Sequence, residues 1–176
     1  MTRYVALMRG INIGGNTSLP MADLRRVFDN LGHQDVRTYI QSGNVVFGAD
    51  SSDEDAVLAG IRRGLSADLG RDLPVVLRSA EDLDAVIDGN PFPGQADFTK
   101  LLVTFLDADP GDKQDALASP KGETGVLKQV GREVYVHVPD GYGRSKLTNA
   151  FVEKKTGVAG TTRNWKTVLK LRELLG

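Results

Sequence analysis

A chain of 176 residues, 40% of them hydrophobic, suffices for one domain or two small ones, and at this size about 70% of the unfolded surface is buried on folding. The formal charge of −1 argues against a wholesale polyanion binder, and the lack of cysteine excludes disulfides, thiolate nucleophiles and cysteine-ligated metals. No apolar run approaches the roughly 18 residues of a membrane span, and the first residues run straight into a strand-like stretch, so a cytoplasmic protein with no membrane partner is expected.

In "RYVALM" (Arg3 to Met8), Tyr4, Ala6 and Met8 alternate with Val5 and Leu7, which predicts a strand. The glycine-rich stretch "RGINIGGNT" follows. Met21, Leu24, Val27, Phe28 and Leu31 then recur at helical spacing; Thr17 or Ser18 would cap this helix, Pro20 would open it and Gly32 would end it in a left-handed conformation. "VRTYIQ" and "NVVF" read as two strands around the tight turn Ser42-Gly43-Asn44. Ser51 and Ser52 open a second helix with Val57, Ile61, Leu65 and Leu69 on one face, and "PVVLRS" (Pro74 to Ser79) is a fourth strand. The order predicts an α+β fold beginning with a ferredoxin-like βαββαβ unit over residues 1–89.

A short helix, "AEDLDAVID", completes that unit. "GNPFPGQ" breaks any regular structure and marks a linker over residues 90–98. The cycle then repeats over residues 99–176: a strand in "KLLVTFL", a helical turn over Gly111 to Ala118, a hairpin of "GVLKQV" and "REVYVHV" about Gly131, and a helix from Ser145 to Thr156. A last helix is expected from about Arg163 to Leu175. The second half is therefore a partly similar α+β unit ending in two helices, with its final strand missing or shortened around "AGTT".

Charge is unevenly spread. Residues 1–140 carry 14 Lys and Arg against 21 Asp and Glu, whereas residues 141–176 carry 8 against 2. Such asymmetry lets the C-terminal segment meet an anion, dock on the acidic remainder or present a solvated basic face. Topology adds a geometric expectation: in a split βαβ unit the loop after the first strand and the turn between the second and third share one sheet edge. That edge would collect Arg9, Asn12, Gly14, Gly15, Asn16, Gln41, Ser42 and Asn44.

Gly10 to Thr17 would satisfy GxxxxGK[ST] if Asn16 were lysine. Without that charge, and with α+β order, triphosphate hydrolysis is not indicated. What remains is a glycine-rich turn permitting positive φ, or exposed amides that bind an anionic ligand with Arg9, Asn12 and Asn16. In "DGYGRSKLTN", Arg144, Ser145 and Lys146 would open a helix in the way that attracts phosphate or carboxylate, unless this is an ordinary turn and cap. In "TTRNWKT", Thr161 or Thr162 would cap the last helix, with Arg163, Asn164 and Lys166 crowding its positive end, which calls for an anion or an internal acidic partner. Trp165 is expected in the core with Val168 and Leu169.

Tyr142 and Lys146 match the YxxxK spacing of short-chain dehydrogenases, but no nucleotide-binding fingerprint follows the first strand. His33 lies in a loop and His137 on a strand face with Tyr135; neither has metal-ligand spacing to a second His, and no metal or cofactor is called for. The aromatic pattern of RNA-binding sheets is missing, although backbone contact through the basic C-terminal residues stays open.

"MRGINIGG", "TYIQSGNVVF", "GRSKLTNAFVEKKTGV" and "TTRNWKTV", in this order and spacing, resemble the bacterial proteins grouped as domain of unknown function 1697. The resemblance covers nearly the full length. It implies a two-part α+β fold with a ferredoxin-like half, and it implies no activity. The reading that follows from the residues is a protein that binds an anionic, phosphate-bearing small ligand at a glycine-rich, basic edge. The alternatives are an enzyme acting on such a ligand, with Arg144, Lys146 or Arg163 stabilising negative charge, and a nucleic-acid or protein-interaction module using the basic C-terminal face.

Overall fold

The alternation in the first residues builds a strand apolar on both faces. In the computed structural model, which describes residues 1–9, 19–40 and 43–176, β1 (Thr2–Met8) is buried from Tyr4 through Met8. The chain divides into two compact units, Met1–Leu83 with Leu171–Gly176, and Asp84–Lys170.

In the first unit β1 is followed by α1 (Met21–Asn30), β2 (Gln34–Tyr39), β3 (Asn44–Ala49), α2 (Glu54–Leu69), β4 (Val75–Ser79) and α3 (Ala80–Asp88), the last of which runs into the second unit. The strands form one antiparallel sheet in the order β2-β3-β1-β4, with Leu7 opposite Asn44 and Tyr4 opposite Ser79. Tyr4, Ala6 and Met8 join Phe47, Leu77 and the inward residues of both helices, Leu24, Val27, Phe28, Val57, Ile61 and Leu65, in one core. These are the helical positions that the sequence pattern selects. The Phe47 ring packs on Phe28 at 5.1 Å and on Tyr4 at 5.9 Å.

Local signals fix the ends. Gly32, at φ 82°, turns the chain after α1 as expected. Thr17 and Ser18 lie outside the described residues, and Pro20 holds the cap position of α1. Asp53 caps α2 by accepting from the Ala56 N–H, and Gly70 ends it in the left-handed conformation. α3 begins with a reciprocal box: Ser79 Oγ accepts from the Asp82 N–H at 3.1 Å, and Asp82 Oδ2 accepts from the Ser79 N–H at 2.8 Å.

The second unit carries β5 (Leu101–Leu106), a 3-10 turn (Asp115–Leu117), β6 (Val126–Val130), β7 (Glu133–His137), a second 3-10 turn (Tyr142–Arg144), α4 (Asn149–Thr156), β8 (Gly160–Asn164) and most of α5 (Trp165–Leu175). Its sheet is also four-stranded and antiparallel, in the order β6-β7-β5-β8. Leu102, Leu106, Leu127, Val134 and Val136 pack with Leu147 and Val152 in its core. Trp165 is buried, its ring 6.4 Å from that of Tyr135, and Val168 is buried as well. The segment after α3 docks on β7, where Phe92 stacks on His137 at 4.9 Å and Gln95 Oε1 lies 2.7 Å from His137 Nε2.

Three expectations are corrected here. The final strand is neither missing nor fragmentary: β8 pairs with β5 from Leu102–Asn164 to Leu106–Gly160, so a strand separates the last two helices. Arg163 and Asn164 belong to that strand, and α5 starts only at Trp165. The helix expected from Ser145 starts at Asn149, capped by Thr148 Oγ1, which accepts from the Phe151 N–H.

Candidate functional site

At the end of β1 the Met8 N–H donates to Gly43 O at 2.8 Å and the Arg9 N–H donates to Pro74 O at 3.1 Å. The exit of β1 is thus held between the start of β3 and the start of β4. Arg9 and Asn44 therefore lie at one edge of the sheet. Arg9 is half-buried there. Asn44 is fully buried and its Nδ2 donates to Tyr39 O at 2.8 Å, which closes the β2–β3 hairpin from inside. Ile40, in the same hairpin, is a β-branched residue at φ 51° with 48% of its surface exposed. Asn12, Gly14, Gly15, Asn16, Gln41 and Ser42 lie outside the described residues.

The second group forms in the other unit. Arg144 and Ser145 line a cavity of about 380 Å³ with Gly122, Glu123, Thr124, Val138, Asp140 and Gly141. An anion does sit on the Ser145–Lys146 segment, and it is internal. The Glu123 carboxylate accepts from the Lys146 N–H at 2.9 Å, the Gly125 N–H at 3.0 Å and the Ser145 hydroxyl at 3.1 Å. These bonds, the Lys146 N–H foremost, hold the Glu123 carboxyl below the usual carboxylate range. Asp140 accepts from the Thr124 hydroxyl on the same rim. Two carboxylates face one guanidinium, so the lining favours no second anion. Lys146 Nζ donates to Lys121 O and Tyr142 Oη accepts from the Asn149 N–H, so the YxxxK pair makes structural bonds.

The third group is interior. Arg163 is 7% exposed, and its Nη1 donates to Thr161 Oγ1 at 2.6 Å and to Thr162 O at 3.0 Å; burial lowers its pKa to about 10, so it stays charged at neutral pH. Asn164 Oδ1 accepts from the Thr167 N–H at 2.9 Å and caps α5, the role expected of Thr161 or Thr162. A polar chain joins this group to the segment before it. Thr162 Oγ1 donates to Asn149 Oδ1, which requires that Thr104 donate to Thr162, and Asn149 Nδ2 donates to Gly160 O. Among the described residues no buried side-chain N or O lacks a partner, and no three His, Asp or Glu gather as a metal site needs.

Sequence reasoning missed Glu123 and Asn149, and gave Thr162 only as a cap. Glu123 meets Ser145 and Lys146 from 22 and 23 residues away, and the one local signal was the pair of glycines, Gly122 and Gly125, around it.

Among the described residues no helix is long and apolar enough to cross a membrane. No curated protein matches the chain. A solved structure described as that of the conserved bacterial protein SP0830 from Streptococcus pneumoniae is similar to it, with a TM-score of 0.76 at 25% identity over 99% of each chain. The model of the protein family of unknown function DUF1697 matches residues 1–135, and the chain belongs to that family.

Proposed function

We propose that the protein binds an anionic, phosphate-bearing small ligand at the edge of the first sheet where β1 ends in Arg9. The observation that supports this reading is the Met8 N–H to Gly43 O bond, which brings the end of β1, where Arg9 follows, beside the start of β3. Glycine-rich backbone offers N–H groups to phosphate, and a guanidinium supplies a planar fork of donors with full charge. Ile40 adds support, because a β-branched residue at positive φ costs about 1–3 kcal/mol and such strain gathers at ligand clamps. Arg163 and Asn164 are engaged with Thr161, Thr162 and Thr167, and Arg144 shares its cavity with Glu123 and Asp140, so neither of these groups favours an anion.

A thermal-shift screen of mononucleotides, sugar phosphates, polyphosphate and short RNA or DNA tests the reading, run on the natural chain and on Arg9→Ala. A ligand at a hundredfold excess over Kd adds about 2.7 kcal/mol, and about 2–4 °C per kcal/mol makes a shift of about 5–10 °C. That shift should be lost in Arg9→Ala. No shift with any phosphate-bearing compound, or a full shift in Arg9→Ala, overturns the reading; a steeply salt-dependent response to polynucleotides alone favours the nucleic-acid alternative.

A further inference from the structure

A cavity of about 280 Å³ opens where the turn between α1 and β2 meets the start of α2. It lies at the end of the β2–β3 pair where Gln34 faces Gly48, opposite to the end where Tyr39 faces Asn44. Leu31, Ala49, Ala56 and Val57 give it apolar walls. A cavity of about 150 Å³ holds benzene, so this one has room for a bicyclic ring. Gly60, on the same wall, helps to keep it open. In mid-helix a glycine costs stability relative to alanine, and no close packing demands one here. Beyond the adjoining residues, a Cβ on Gly60 would meet only Arg63 Nη2, at 3.9 Å. Gly64, one turn on, differs, since a Cβ there would meet Val27 and Leu31 at 3.1 Å.

Two titratable groups line the same space. The His33 ring is backed by those of Phe47 at 4.6 Å and Phe28 at 6.1 Å. Among the described residues nothing hydrogen-bonds that ring, and no buried side-chain nitrogen lacks a partner, so its nitrogens are open to water. Burial keeps the ring uncharged at neutral pH, with one donor and one acceptor. The Asp50 carboxylate accepts from Gln34 Nε2 through Oδ1 at 3.0 Å, and among the described residues no lysine or arginine pairs with it. These groups select the occupant. An anion would meet Asp50 and, at the start of α2, Asp53 and Glu54. A wholly apolar molecule would take water from Asp50 and His33 without replacing its hydrogen bonds. A cation with an apolar body satisfies walls and polar groups together. An aromatic body seated beside Gly60 also has the Arg63 guanidinium within cation–π reach.

We infer that this cavity binds a small aromatic amine, its ring against Leu31 and Val57 beside Gly60, and its ammonium group shared by Asp50 and a nitrogen of His33. The inference uses neither Arg9 nor Gly43, so it stands or falls apart from the anion reading. Amide chemical-shift titrations of the isotope-labelled full chain test it. Tryptamine, indole and indoleacetate serve as probes, one bicyclic ring with a positive, no and a negative charge. Tryptamine should move the amide signals of Gly32, His33 and Gly60 saturably, bind about fivefold more tightly than indole, and exceed indoleacetate by more. Asp50→Asn should erase the difference between tryptamine and indole. Gly60→Leu should fill the cavity and abolish binding; should it not fold, Ala56→Leu takes its place. No saturable movement with millimolar tryptamine overturns the inference. So does tryptamine binding no tighter than that of indoleacetate, or binding that a folded leucine variant leaves unchanged.

Discussion

The carboxylate of Glu123 is seated on the backbone N–H of Lys146, 2.9 Å from Oε2, where a bound anion was expected. Its folded pKa lies below the ordinary value of 4.5, so the stability it contributes is complete above that value and is lost as pH falls through the lower, folded one. Glu123→Gln removes the titration. The natural chain should be more stable than the variant near neutral pH, by less than about 1 kcal/mol because the group is half-open to water, and the gap should close in acid. Urea unfolding of both chains across a pH series measures it.

His33 acts in a different pH window. Its ring lies 4.6 Å from that of Phe47, and burial lowers its pKa below 6.5 despite an opposing pull from Asp50. The unfolded chain therefore takes up this proton before the folded one does. Stability falls as pH drops from 6.5 to the folded value and then levels off. His33→Gln should flatten that stretch of the melting profile while leaving the Glu123 component below it unchanged.

Arg163 shows where the sequence stops being legible, and why. The helices α1, α2 and α3 follow from apolar spacing, and α3 appears over the residues that its pattern names, whereas α2 is capped by Asp53 and not by Ser51 or Ser52. β8 does not, because its buried positions include Thr161 and Arg163, so the alternation that betrays a strand is written in polar residues. The start of α4 is misread for a related reason. Ser145 and Thr148 are both good caps, and the choice between them is made by Glu123, which bonds the Ser145 hydroxyl from 22 residues away. The charge of "GRSKLTN" and "TTRNW" was visible as a call for anions. Thr161 and Thr162 answer it for Arg163 from adjacent positions, whereas the answer of Glu123 at Ser145 and Lys146 is long-range information.

Asn164 ends β8 and begins α5, so one side chain serves the junction. Asn164→Ala removes the acceptor of the Thr167 N–H and should cost about 1 kcal/mol in urea unfolding. Asn164→Asp should match or exceed the natural chain, since a carboxylate at the positive end of α5 adds a favourable charge interaction.

Gly125 should be the costliest of these positions to change, although its backbone conformation is open to any residue. A Cβ there would lie 2.8 Å from Leu147 Cδ1, 2.9 Å from Glu123 Oε1 and 2.9 Å from His137 O. The leucine and glutamate can rotate away; the His137 carbonyl cannot, because it belongs to β7. Overpacking of this kind costs about 1–3 kcal/mol. The two responses can be separated with a double-mutant cycle of Gly125→Ala and Glu123→Ala. If the methyl group expels the carboxylate from the Lys146 N–H, the two losses overlap and the double variant loses less than their sum. Strict additivity in urea unfolding would place the whole cost on the His137 carbonyl and Leu147, and would show that the Glu123 carboxylate accommodates the methyl group without leaving its seat.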